Sequence, residues 1–157
     1  MDPRHFGRYY EDFLIGGKCQ HDIAKTITES DNNLFCLLTM NHHPIHLDAE
    51  YAKKQQHGKI LVVGTYVISL VVGMTVADIS GKAIANLDYE HVEHLRPVFI
   101  DDTLTAATTV LSKRISNSKP TVGIVKVKTV AKNQNGQAVL ALTRTIMVPR
   151  KVTPCEK

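Results

Sequence analysis

The stretch Thr39-Met40-Asn41-His42-His43-Pro44-Ile45-His46-Leu47-Asp48 concentrates groups that can do chemistry: three histidines, one asparagine and one proline lie within six residues. An imidazole can take up or release a proton near neutral pH. A carboxamide cannot, but it can hold a water or a substrate oxygen by hydrogen bonds. A second feature, Val63-Gly64-Thr65, stands near the start of a long uncharged segment. The first turn of a helix there offers unpaired backbone N–H groups and the positive end of the helix dipole. Gly64 has no side chain to keep a ligand away from that backbone. An oxygen gaining negative charge can be stabilised at such a point. A histidine and an N–H donor of this kind form a minimal site for proton transfer beside a carbonyl.

Several elements must position these groups. Residues 1–17 read as an arm and turn ending at Gly16-Gly17, and residues 18–27 as a first strand. The segment TESDNNLFCLLTM predicts a helix with Thr28 as N-cap and Glu29 and Asp31 in its first turn. Leu34, Leu37 and Leu38 are spaced as one buried stripe, with Cys36 a small core residue beside them. Pro44 disfavours helical dihedrals in His43, so that helix stops before it. A short helix, DAEYAKKQQ, follows and ends at His57-Gly58.

The next helix, roughly 62–77, is apolar nearly all round and is expected to be wrapped by other structure. Residues 60–77 carry no charge over 18 positions, but Gly64, Thr65, Tyr66, Ser69, Gly73 and Thr75 make a core helix the better reading than a membrane span. Strands are expected over 82–95, 103–115, 121–132 and 137–148. His91 and His94, three positions apart, face opposite ways on an ideal strand and read as solvated or paired. Asn133-Gln134-Asn135-Gly136 is a hairpin signal between the last two strands. Val125 and Val127 alternate with Lys126 and Lys128, as in a sheet with one covered face. Leu140, Leu142, Ile146 and Val148 share a face that Arg144 interrupts. A curved antiparallel sheet wrapped around one apolar helix, an α+β arrangement, satisfies both patterns.

The chain has 157 residues, 43% hydrophobic and 22% charged, the balance of one globular domain spanning 1–157 with a tail over 149–157. Three cysteines, Cys19, Cys36 and Cys155, are too scattered for a disulfide framework. The first fifteen residues lack the apolar core of a secretory signal, so an intracellular, cytoplasmic protein is expected. Residues 1–110 carry nine basic and fourteen acidic side chains, whereas residues 111–157 carry ten basic and one acidic. Such a basic half suits a phosphorylated ligand or another anionic partner, or is simply a solvated strand face. No aromatic RNA-binding motif, zinc spacing or recognition-helix signature accompanies it, so no nucleic-acid partner is expected. His42, His43 and His46 are weak metal candidates because Pro44 breaks any helical pairing. Neither a metal nor a cofactor is expected.

Residues 28–73 resemble the MaoC-like hydratases and dehydratases, which include (R)-specific enoyl-CoA hydratases. Their motif, approximately Gly-Asp-x-Asn-Pro-(Leu/Ile)-His, is matched here by Pro44-Ile45-His46. The family's oxyanion-hole glycine follows its histidine by eighteen residues, as Gly64 follows His46. Pro97-Val98-Phe99-Ile100-Asp101-Asp102-Thr103-Leu104 resembles the family segment Pro-(Val/Leu)-(Phe/Tyr)-x-Gly-Asp-(Thr/Ser)-(Leu/Ile). The likeness extends over roughly 20–148. It implies a hotdog fold, a homodimer or a larger assembly of dimers with sites at subunit contacts, and an acyl-CoA substrate. One departure stands out: the family's catalytic Asp position holds Asn41, and its usual Asn position holds His43. Relatives acting on branched dicarboxylic acyl-CoA esters suit such a variant pair.

By that resemblance His46 is the general acid/base, Asn41 orients water, the Gly64 N–H binds the thioester oxygen, and His43, Val63 and Thr65 contact substrate. Lys113, Arg114, Lys119, Lys126, Lys128 and Arg144 are candidates for the CoA phosphates. Two alternatives stay open. One is a thioesterase on the same fold, with Asp48 or Asp31 as its acidic group. The other is a non-catalytic acyl-CoA-binding subunit that lost the family Asp, with Asn41 only capping its turn.

Overall fold

The computed structural model describes residues 6–151. Part of the expected arm (1–5), most of the expected tail (152–157) and Cys155 lie outside the described residues. The elements are β1 (Lys18–Gln20), β2 (Lys25–Thr26), α1 (Glu29–Thr39), α2 (Ala49–Lys53), α3 (Gly64–Met74), β3 (Ala85–His94), β4 (Thr103–Ile115), β5 (Val122–Lys132) and β6 (Ala138–Pro149). The sheet runs β1-β4-β5-β6-β3, with β2 also on β4, and every pairing is antiparallel. The sheet curves over α3, which is the hotdog arrangement. The expected strand 103–115 and the hairpin at Asn133–Gly136 are present, with Gly136 at φ +74.

Four expectations need correction. The strand read over 18–27 is two short pieces on β4; just past the first, His21 still donates its N–H to Ala106 O (3.0 Å), while its buried ring bonds Asp78 and Thr108. The helix read over 48–56 keeps its regular hydrogen bonding only over Ala49–Lys53. The central helix begins at Gly64, ends at Met74 and passes into a wider π-helical turn, Val76–Ser80. The leucine stripe of α1 is not buried: Leu34, Leu37 and Leu38 are 57%, 63% and 74% exposed. That helix instead turns Asn32 and Cys36 inward, one helical turn apart, because two backbone groups of neighbouring loops require the Asn32 amide.

The core lies between α3 and the sheet. Val67, Val71 and Met74 pack with Ile27, Leu104, Val139, Leu140 and Leu142. Each such side chain contributes about 1.5–3 kcal/mol on burial. A second cluster, around Phe13, Ile79, Val125, Val127, Ile146 and Val148, closes the other end of the sheet. The wrapping of α3 is one-sided: Thr65, Ser69 and Gly73, each four residues apart, stay exposed. Arg144, read as a phosphate candidate, is buried and unavailable for that role. Its guanidinium donates to Thr75 Oγ1 (2.6 Å), Ser80 Oγ (3.2 Å) and Asn86 Oδ1 (3.1 Å). It sits at the end of α3, where the helix dipole is negative.

The N-terminus of α1 is fixed as expected. Thr28 Oγ1 accepts from the Asp31 N–H (3.2 Å), and Asp31 Oδ2 accepts from the Thr28 N–H (2.9 Å). Asp31 also pairs with Lys25 at 2.7 Å. The Lys25 ammonium, then the Thr28 N–H, lower the Asp31 pKa from 3.8 to about 2. A carboxylate ionised more readily in the folded chain stabilises it above its unfolded pKa, and that contribution fades as pH falls through the folded pKa. Asp31→Asn is therefore expected to lose stability at pH 6 and to converge on the parent between about pH 4 and about pH 2. Urea midpoints at both ends of that window check this; a constant difference would remove Asp31 as the linked group.

Candidate active site

The site is built from three chain segments joined by an amide. Asn32, fully buried on α1, donates from Nδ2 to the His46 carbonyl (2.9 Å) and accepts the Val63 N–H at Oδ1 (3.0 Å). The first bond holds the histidine loop and the second holds the entry to α3. A third contact closes the triangle: His46 Nδ1 lies 2.7 Å from the Leu61 carbonyl. A carbonyl only accepts, so Nδ1 carries the proton there and the neutral ring presents its lone pair at Nε2. The Leu61 N–H in turn donates to Ile45 O (3.2 Å). His46 is thus tied to a residue three positions before Gly64.

The N-terminus of α3 carries no side-chain cap, and its N-cap residue is Val63. Because Asn32 takes the Val63 N–H, the next N–H groups, from Gly64 onward, are the orphan donors of this helix end. Thr65 is exposed beside them, while Val63 is buried. Asn41 follows the C-cap of α1. Its Oδ1 accepts from the His43 N–H at 3.3 Å, a turn-capping contact, and its backbone N–H donates to Cys36 O at 3.0 Å. His43 Nδ1 accepts from the Ile45 N–H (3.2 Å), so this ring caps the short 3-10 turn Pro44–His46. Its centroid lies 6.0 Å from that of His46 and 6.2 Å from that of Tyr51.

Two openings flank the helix. The first, about 360 Å³, is lined by Leu61, Val62, Gly64, Val67, Pro97 and Val98 together with His57, His94 and Arg96. His94 comes there because β3 bulges between Glu90 and Glu93, with His91 at φ +47. The bulge overrides strand parity, so His94 lines this opening and its ring stands 3.0 Å from where a Cβ on Gly64 would be. The second opening, about 510 Å³, lies between Thr65, Ile68, Ser69 and Val72 of α3 and Tyr89 and Val92 of β3.

Asp48, Lys126 and Lys113, among the remaining expected residues, have structural partners. Asp48 caps α2 through Oδ1, accepting from Glu50 and Tyr51 N–H. Lys126 pairs with Glu90 at 2.8 Å, and Lys113 lies over the Tyr10 ring. Among the described residues, the donor atoms gathered within 4.8 Å as metal ligands would be are those of Cys19, His21 and Asp78. Both His21 nitrogens are already bonded there, to Asp78 (2.7 Å) and Thr108 (2.8 Å), and burial pushes the Cys19 thiol pKa up. His21 therefore works as a buried hydrogen-bond link between Asp78 and Thr108. No helix among the described residues is long and apolar enough to cross a membrane.

Sequence reasoning named His46 and Gly64 as candidates and missed Asn32, which joins their two segments; His94, read as solvated or paired, is exposed at the mouth of the first opening. Two departures from the family motif leave a backbone signature: Met40 and Asp101, at the motif's glycine positions, keep left-handed φ values of 59° and 70°. The turns survive although the residue that favours them does not.

The antiparallel sheet packed over one apolar helix defines a hotdog protein. The MaoC-like domain profile matches residues 12–133, and the chain belongs to that family. It is 35% identical over 94% of its length to a mesaconyl-CoA hydratase of Cereibacter sphaeroides, covering 43% of that protein. An (R)-specific enoyl-CoA hydratase of Rhodospirillum rubrum is 29% identical over 91% of this chain and 93% of its own. A solved structure, a monoamine oxidase regulatory protein from Archaeoglobus, superposes with a TM-score of 0.83 at 33% identity, over 93% of this chain and 97% of that one. The chain spans less than half the length of the first curated relatives it matches.

Removing the Asn32 amide should loosen the whole site. Asn32→Ala leaves the His46 carbonyl and the Val63 N–H without partners, and is expected to cost about 2 kcal/mol or more. Asn32→Asp should not rescue it, because a carboxylate cannot donate to a carbonyl. Denaturant titration decides; parent-like stability of Asn32→Asp would show that the bridge is dispensable.

Proposed function

We propose that this chain adds water reversibly to 2-enoyl thioesters of CoA. The supporting observation is the His46 ring, oriented through Nδ1 onto the Leu61 carbonyl with Nε2 left as base, in a loop that Asn32 ties to the start of α3 at Val63. The thioester oxygen accepts from the Gly64 N–H, which polarises the β-carbon and stabilises the enolate-like transition state. His46 Nε2 takes a proton from water as the oxygen adds at that carbon, and the protonated ring passes that proton to the α-carbon, which returns the ring to its neutral form. Dehydration runs through the same groups in reverse. Asn41 orients the water by its amide, a neutral group where the family has a carboxylate. His43 and Thr65 flank the acyl group, and Val63 acts through its backbone.

Hydration is favoured over thioester hydrolysis by the state of the carboxylates. Asp48 and Asp31, the candidates for a hydrolytic base, are both spent on helix caps. The names of the relatives, hydratases of CoA thioesters, support the same reading. We further propose a homodimer joined along β3. This strand is a sheet edge, and its Leu87, Tyr89 and Val92 are exposed beside the open side of α3. An unpaired edge of that kind is a template for a second chain. A cytoplasmic location accompanies the reading.

His46→Ala is expected to lower crotonyl-CoA hydration by about a hundredfold or more while the chain stays folded. The assay follows loss of enoyl absorbance together with free thiol. Thiol release without hydration would make the protein a thioesterase, and tight acyl-CoA binding without either would make it a carrier. Asn41→Asp should retain or raise turnover; collapse would show that the amide has a duty no carboxylate fills. Val92→Lys is expected to shift the sedimenting mass toward the 17.4 kDa monomer. A parent-like mass in that variant would move the contact elsewhere.

A further inference from the structure

Two imidazoles of the histidine loop are held in opposite tautomers by the backbone around them. His46 gives its Nδ1 proton to the Leu61 carbonyl (2.7 Å), so its Nε2 is a lone pair. His43 does the reverse. Its Nδ1 accepts the Ile45 N–H (3.2 Å), so the neutral ring keeps its proton at Nε2. That Nε2–H has no partner among the described residues, and His43 is exposed. The two ring centroids stand 6.0 Å apart at an interplanar angle of 62°. Tyr51 of α2 also meets the His43 ring, at 6.2 Å and 77°. The Asn41 amide oxygen holds the His43 backbone by accepting its N–H at 3.3 Å. A proton acceptor and a proton donor thus stand side by side, and one water bonded at about 2.9 Å to each can join them.

We propose that His43 is a second catalytic residue: its Nε2–H donates to the oxygen being added or removed, while His46 Nε2 takes and returns that oxygen's proton. The inference rests on the hydration reading and deepens it. Water has two hydrogens and two lone pairs. One hydrogen goes to His46 Nε2, and the other is left for the Asn41 amide. One lone pair accepts from His43, and the other forms the bond to the β-carbon. While the O–H bond is breaking and the carbon–oxygen bond is incomplete, the oxygen carries negative charge, which a fixed N–H donor stabilises. His43 gives up no proton, so it ends the step as it began. In dehydration the same N–H holds the departing oxygen as His46 protonates it. The assignment also joins the two departures from the family motif. The family pattern has a carboxylate where this chain has Asn41 and an amide where it has His43. The group that assists His46 has moved two residues along the loop.

Tautomer and role are read separately. Nitrogen NMR of the imidazoles in the full chain should show His43 protonated at Nε2 and His46 at Nδ1, with His43→Asn identifying the first set of signals. The same tautomer in both rings would overturn the proposal. In the crotonyl-CoA assay, His43→Asn should lower kcat about tenfold or more and leave KM near the parent's, because the lost donor touches the water and not the thioester. An asparagine can still cap the Pro44–His46 turn, so the loop stays formed. Adding Asn41→Asp to His43→Asn restores the family pair and should recover most of the loss, a coupling between the two positions. A parent-like kcat in His43→Asn would overturn the proposal. So would a loss that the double variant does not recover, which is what a merely structural histidine gives. A parent without any hydration would sink the reaction reading and this role together, whereas hydration untouched by His43→Asn sinks this role alone.

Discussion

The geometry of this molecule depends on how one buried carboxamide is satisfied. Asn32 has a donor and an acceptor on one flat group, and the fold spends the donor on the His46 carbonyl and the acceptor on the Val63 N–H. A buried polar group left unpaired is costly, so the amide confines both partners to a narrow range of positions. One partner belongs to a loop fourteen residues away in sequence, the other to a helix start thirty-one residues away. The relation between the His46 loop and the N-terminus of α3 is thereby set by a side chain from a third segment.

This bridge also explains why α1 packs with an unexpected side. Apolar periodicity favours burying Leu34, Leu37 and Leu38, each worth a few kcal/mol if fully enclosed. The helix instead rotates Asn32 and Cys36 to the interior. Hydrophobic burial is non-directional and can be realised on another surface, but a two-ended hydrogen bond has one solution. The cap at Thr28 and Asp31 reinforces the choice, since it fixes the entry of the helix one residue before the amide.

What the sequence made legible follows from the range of each signal. Strand alternation and the hairpin turn are local, and β4 to β6 emerge nearly as read. The histidine loop and Gly64 were visible through motif spacing, because eighteen residues of fixed length carry a family constraint. Asn32 was not visible: an asparagine inside a helix reads as a weak helix former, and its value lies in groups contributed by two other segments. His94 is exposed, as read, but that it faces the Gly64 opening was not legible. Parity along β3 holds only while the ladder is regular, and the bulge at His91 changes the count before His94 is reached. The left-handed turns at Met40 and Asp101 show the converse, since the backbone keeps a shape whose usual residue is gone.

The incompleteness of the wrapping around α3 belongs to the same logic. A helix enclosed on every side would bury its first-turn N–H groups along with its apolar surface, and no ligand could reach Gly64. Here Val67, Val71 and Met74 anchor one side under the sheet, while Thr65, Ser69 and Gly73 keep the other side open and small. The sheet ends at β3 with an unpaired edge next to that open side. Surface that looks unfinished in one chain is therefore the surface on which the proposed acyl site and the proposed chain-to-chain contact adjoin. The core stabilises α3 from one direction, so its N-terminus can remain rigid without being covered.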